Sequence, residues 1–226
     1  MLRGDQAHEA LRPRDALALF EEALSEDPDN FAALWKASRE AVNLGMLASD
    51  DEERKALNEK AVRYARRARE VDAGNPRAGE WLSIALGRQA LDEGPRSRVR
   101  LAQEIREVAL ETLALDSLNA GAHHVLGEWN AEIRRLSGVE RWFARKLLGG
   151  DVFKEASWQS AEFHLRRAVE LDPGGLVHHL ALARVYLDTG REEEARAQLR
   201  EVLERPAMEP VDPLYKQEAH DLLSGG

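Results

Sequence analysis

No cysteine occurs among the 226 residues, which excludes disulfides, thiolate zinc sites and a cysteine nucleophile. There is no run of about 18 apolar residues, so no membrane-spanning helix is expected. Nothing reads as a secretory signal. Strand signals are nearly missing: no sustained Val/Ile/Thr alternation and no Asn-Gly hairpin turn is present. Basic residues number 32 against 41 acidic, for a net charge of −9. Nucleic-acid binders usually carry the opposite balance, so a nucleic-acid partner is not expected. The phosphate loop GxxxxGK[ST], the dinucleotide motif GxGxxG and the nucleophile elbow GxSxG are absent. What is there is 43% hydrophobic and 32% charged, rich in Ala, Leu, Glu and Arg, the makeup of a soluble helical protein.

Residues 155–190 set the pattern for the rest. Ala161, Leu165 and Ala168 stand at i, i+4 and i+7, one face of a helix. Asp172-Pro173-Gly174-Gly175 stops it. A second helix carries Leu182, Ala183 and Tyr186 and ends before Gly190. The same offsets recur at Ala16, Phe20, Ala23 and Pro28; at Ala61, Ala65, Ala68 and Ala73; and at Ile105, Ala109, Thr112 and Ser117. A last set is Ala195, Leu199, Val202 and Ala207. Small residues that let paired helices approach, alternating with large ones that fill the gap, are the tetratricopeptide (TPR) signature. The spacing predicts an all-α, TPR-like right-handed α-solenoid of about five helix pairs, with inserted helices and a C-terminal capping helix. The whole chain, 1–226, is expected to form one domain, with repeats roughly at 1–29, 30–75, 76–118, 119–174 and 175–208 and the cap at 211–223.

The turn-to-turn distances of 45, 44, 56 and 34 residues exceed the period of about 34 three times. Extra residues are expected near 46–56, near 91–100 and within 134–155. By the register, Gly4 and Ala7 stand in the middle of the first helix, so either that helix is short or its first turn would precede Met1. A cytoplasmic chain is expected, or an exported one if an N-terminal signal has been removed.

First helices of successive repeats line the concave side of such solenoids. The groove positions are then Trp35, Arg39 and Val42, Ile84 and Arg88, His124 and Glu128, and Leu180, Arg184 and Leu187. An aromatic and aliphatic floor with arginines suits a peptide or an acidic head group, through burial and bidentate pairing. The alternative is that these residues pack internally. Residues 138–148 read as a short amphipathic helix in which Trp142, Phe143, Leu147 and Leu148 share a side, fit for a lid or a membrane contact; an extra helix packed on the solenoid is the plainer reading. His123-His124 and His178-His179 invite a metal reading, since His124 and Glu128 share a helix face. Without HExxH they are expected to be structural. No catalytic residue, metal or cofactor is assigned, and no enzyme activity is expected.

Five stretches resemble the regulator of microtubule dynamics family within the TPR group: ALWKASREAVNLG (33–45), GEWLSIALGRQA (79–90), HHVLGEWNAEIRRLSGVERWFARKLLGG (123–150), FHLRRAVELDPG (163–174) and LALARVYLDTGREEEARAQL (180–199). The third is the most specific, with its Leu-Gly-x-Trp start and Leu-Leu-Gly-Gly end. The resemblance covers roughly residues 30–223 and implies a non-enzymatic helical interaction domain. Animal members are linked to microtubules and organelle membranes, and their repeat domain can bind phospholipid. The Arg/Ala/Leu-rich style suggests a bacterial homologue, in which the microtubule link is not expected to carry over. The expected function is a scaffold that binds a peptide or protein segment in the groove. The alternative is a phospholipid-binding or lipid-transfer module with an apolar cavity near 134–155.

Overall fold

The computed structural model describes residues 1–137 and 152–225. Its helices are α1 (Leu2–Glu9), α2 (Pro13–Glu26), α3 (Phe31–Leu47), α4 (Asp51–Val71), α5 (Pro76–Leu91), α6 (Pro95–Leu115), α7 (Ala120–Arg135), α8 (Trp158–Leu171), α9 (Leu176–Asp188), α10 (Glu192–Glu204) and α11 (Asp212–Ser224). No strand occurs among the described residues. Consecutive helices pack as pairs from α1/α2 to α9/α10, and α11 covers the open end of the last pair. The architecture is a TPR-like α-solenoid.

One turn is built four times between a second helix and the next first helix. Asp27, Asp72, Asp116 and Asp172 accept through their carbonyls from the amides of Asn30, Asn75, Asn119 and Gly175 at 3.1–3.3 Å. The aspartate side chain also accepts from the amide two residues on, at Asp29, Gly74 and Leu118. The asparagine then caps the following helix: Asn30 accepts from Ala33 at 3.0 Å and Asn119 from Ala122 at 2.7 Å. One four-residue device thus ends a helix, reverses the chain and starts the next helix.

Paired helices meet over a small residue on the first helix at Gly4, Ser38, Gly127 and Ala183. A Cβ on Gly4 would lie 2.5 Å from the Phe20 ring, and one on Gly127 would lie 2.5 Å from Leu165 Cγ. Ser38 donates to the Ala61 carbonyl at 2.9 Å, so its hydroxyl is satisfied inside the contact. Phe20, Leu82, Leu86, Leu165 and Leu199 fill the space these close approaches leave.

The extra residues near 46–56 and 91–100 are taken up as helix. α3 and α4 run 17 and 21 residues and α5 and α6 run 16 and 21, against 13 each in α9 and α10. The turns between them stay short, so added length projects past the common core. Of the 134–155 stretch, 152–154 form a 3-10 turn whose Phe153 stacks on Trp129 with centroids 6.0 Å apart. The amphipathic segment with Trp142, Phe143, Leu147 and Leu148 lies outside the described residues.

Candidate functional site

The first helices touch one another in sequence, α3 with α5, α5 with α7 and α7 with α9, and so form the inner face. Trp35 is half-buried against Leu34, Ala68 and Ala78. Its ring is flanked by three cations, Arg39 at 5.4 Å, Lys36 at 5.5 Å and Arg77 at 5.8 Å from the centroid. Each cation also holds a carboxylate of this chain: Lys36 with Asp5, Arg39 with Glu40 at 2.8 Å, Arg77 with Glu80 at 2.9 Å. Glu40 is fully buried and takes His8 Nδ1 at 3.0 Å as well. Ile84 and Arg88 continue the face as half-buried residues of α5.

Two of the expected groove residues are core instead. Val42 is 3% exposed and joins the main cluster with Leu82 and Leu86. Leu180 is 1% exposed and packs with Leu199, Val202 and Ala219, because α11 lies over it. Arg184 is engaged: its Nε and Nη2 donate to Glu218 Oε1 and Oε2 at 2.7 and 2.6 Å. Leu187 is exposed.

His124 and Glu128 point into the same interior. His124 Nδ1 and Glu128 Oε1 are buried with no hydrogen-bond partner, as is Trp81 Nε1 on α5. An orphaned buried polar atom costs about 1–3 kcal/mol. Burial pulls the His124 imidazole well below its usual range, with His178, Arg88 and Arg184 adding repulsion. Burial raises the Glu128 carboxyl, although Arg184, Arg135 and Arg88 lie nearby.

The inner face is not empty, and sequence reasoning missed its occupant. The segment that leads into and through α11 lies within it. Pro210 and Val211 are buried, and Asp212 accepts from the Met208 and Glu209 amides at 2.7 and 2.8 Å. Glu209 reaches His8 of α1 at 3.7 Å, and the Tyr215 hydroxyl faces Met46 Sδ of α3 at 3.8 Å. Burial raises the pKa of the Tyr215 phenol, and Arg88 and Arg184 act against that rise. The readable signal was the acidic run Glu209, Asp212 and Glu218 beside a Tyr215-Ala219-Leu222 stripe, opposite a face that carries arginines.

The other histidines serve the frame. His123 Nε2 bonds the Ser117 carbonyl at 3.2 Å and His179 Nε2 bonds the Pro173 carbonyl at 3.0 Å, each six residues back, tying a first helix to its entry turn. His123 and His164 meet Nδ1 to Nδ1 at 2.9 Å. Among the described residues no three His, Asp or Glu side chains are grouped to hold a metal ion.

Burial lowers the pKa of His123, His124 and His164, the last to about 4. Below about pH 6.5 the unfolded chain takes up protons that the folded one refuses, so these groups weaken the fold as pH falls. Glu128 acts oppositely, since it keeps its proton to higher pH in the fold than in the unfolded chain. Glu209 acts with Glu128; three histidines stand against these two carboxyls, so the melting temperature is expected to fall between pH 7 and pH 5. His164→Gln should flatten that slope by roughly 1–2 kcal/mol at pH 5, after discounting for solvent screening. Parallel slopes in thermal melts of the two chains would contradict this.

Three comparisons bear on the whole chain. The family model described as Regulator of microtubule dynamics protein 1-3 matches residues 1–225. Regulator of microtubule dynamics protein 1 of Bos taurus is 28% identical over 205 residues, 89% of this chain and 62% of that protein. Protein 3 of the same name and organism is 24% identical, over 84% of this chain and 40% of its own length. The chain therefore spans less than two thirds of these relatives. Among solved structures, a thermophilic TPR protein of Thermus thermophilus matches with a TM-score of 0.67 at 23% identity, covering 97% of this chain and 95% of that one. That likeness shows the fold.

Proposed function

The chain belongs to the regulator of microtubule dynamics family, and from that premise we propose that it is a non-catalytic adaptor holding a segment of a partner protein on its inner face. The observation that carries this is the Trp35 ring, half-open between Arg39, Lys36 and Arg77. Tryptophan and arginine dominate the energetics of protein contacts because they combine burial with directed pairing. The Arg77–Glu80 pair is open on the arginine side, which is 55% exposed. Arg77 meets Glu80 through Nη1 alone, and Asn119 also holds Glu80, so the other donors of the guanidinium can reach a partner's carboxylate without breaking the internal pair. The fitting partner is an extended or helical segment with acidic residues.

The test uses the full chain on an array of 15-residue peptides. Wild type is expected to retain acidic peptides. Trp35→Leu/Arg77→Gln should weaken each by about tenfold or more, which is about 1.4 kcal/mol, with the melting temperature held within about 2 °C. Charge reversal at Arg39 or Arg184 is unsuitable, because Glu40 or Glu218 would then face a like charge. Unchanged binding by the double variant, or no peptide retained by wild type, would set the adaptor reading aside. The phospholipid alternative rests on 134–155, and residues 138–151 lie outside the described part; co-purified lipid in native mass spectrometry is its signature.

A further inference from the structure

The segment that leads into α11 lies on the same inner face as the Trp35 site, against His8, Met46 and Arg184. We propose that residues 208–218 are a resident occupant of the inner face, and that the partner it accepts is a displacing segment of the same chemistry: an acidic helix start with one aromatic side chain. The inference rests on the adaptor reading and names its partner class.

The two ends of this segment are held differently. Towards α9 the hold is strong: Arg184 grips Glu218 through two hydrogen bonds of 2.7 and 2.6 Å, and Ala219 is packed among Leu180, Leu199 and Val202. Towards α1 and α3 its polar contacts are long, although Val211 and Asp212 are buried. Glu209 stands 3.7 Å from His8, beyond hydrogen-bond range, and Tyr215 offers its hydroxyl to a thioether at 3.8 Å. Pro210 lies just ahead of α11, which starts at Asp212 and carries Pro213 in its first turn, where proline is tolerated. The same inner face holds two buried atoms of α7 without a partner, His124 Nδ1 and Glu128 Oε1. The resident segment leaves those two polar atoms unanswered; a displacing segment with a donor and an acceptor there would bind better. Charge runs the same way, with Glu218 set against Arg184 and Glu209 drawn towards Arg39, although Glu40 and Asp212 oppose the latter.

The experiment uses the full chain and a fluorescent peptide of residues 206–220. Tyr215→Ala/Glu218→Gln loosens the resident segment and is expected to bind the peptide at least tenfold more tightly than wild type does. In wild type, saturating peptide should speed amide exchange at 208–218 and leave α9 and α10 unchanged. Equal affinities overturn the proposal. If the double variant melts far below wild type, the wild-type exchange decides: unaltered protection at 208–218 overturns it too. Array peptides that bind wild type without speeding exchange there would sink this inference and leave the adaptor reading standing. An array without binders would sink the adaptor reading, while the 206–220 peptide still reports on the inner face.

Discussion

Gly127→Val is expected to lower the melting temperature by about 6–12 °C, the shift that about 3 kcal/mol produces in a chain of this size. A Cβ at 127 would meet Leu165 Cγ at 2.5 Å, Leu165 Cδ2 at 2.8 Å and the Ala161 carbonyl oxygen at 3.2 Å. Leu165 is fully buried, so it has no free space to swing into. The carbonyl belongs to the α8 backbone, so relief requires α7 and α8 to separate and expose core. Gly87→Ala is the control. A Cβ there meets nothing within 4 Å, and a helical glycine replaced by alanine gains about 0.5–1 kcal/mol. Leu165→Ala alone should cost about 2–5 kcal/mol, and combining it with Gly127→Ala should cost less than the sum, because the new methyl enters the vacated space. Calorimetric melts of wild type, these four variants and Gly127→Ala alone settle the order. A Gly127→Val chain that melts with wild type would contradict the close approach on which helix pairing depends.

Trp129→Ala is the second large effect, about 3–5 kcal/mol. The indole is nearly buried, donates to the Ala102 carbonyl at 2.7 Å, lies under Arg106 at 5.6 Å and stacks on Phe153. It joins α7 to α6 and to the point where the chain returns before α8. Next to it, Asn130 accepts from the Ser157 amide at 3.2 Å, fixing the entry of that helix. Removing the indole leaves a cavity and takes away the second hydrogen bond to a carbonyl that keeps its helical partner. Trp129→Phe keeps most of the volume and should cost only about 1–2 kcal/mol, the lost hydrogen bond. Urea midpoints measure both, and limited proteolysis should cut the alanine variant first near 152–157. Equal midpoints for Trp129→Ala and Trp129→Phe would show that packing at this site contributes little.

Both residues come from the Leu-Gly-x-Trp stretch that carried the family resemblance. The sequence marks that stretch as distinctive but not why: the glycine is a contact with Leu165 of α8 and the tryptophan an anchor to Ala102 and Phe153. The solenoid itself was legible, because Ala16/Phe20 or Ala161/Leu165 repeat a local periodicity that packing only has to respect. The Asp-x-x-Asn turns were equally readable and went unread, since prolines and alanines indexed the repeats instead. The inner face was legible only in part. Helix register says that Trp35, Arg39 and Leu180 project to one side; it cannot say that α11 folds back over Leu180 and claims Arg184. That depends on contacts such as Tyr215 to Met46, 169 residues apart, which no window of sequence contains.

The most direct test of the inner face as the partner surface is hydrogen exchange of the full chain with and without a bound acidic peptide. Protection gained on α3 and α5 around Trp35, Arg39 and Arg77 is the expected result. Protection gained instead on α4, α6 or α8, with α3 and α5 unchanged, would contradict it.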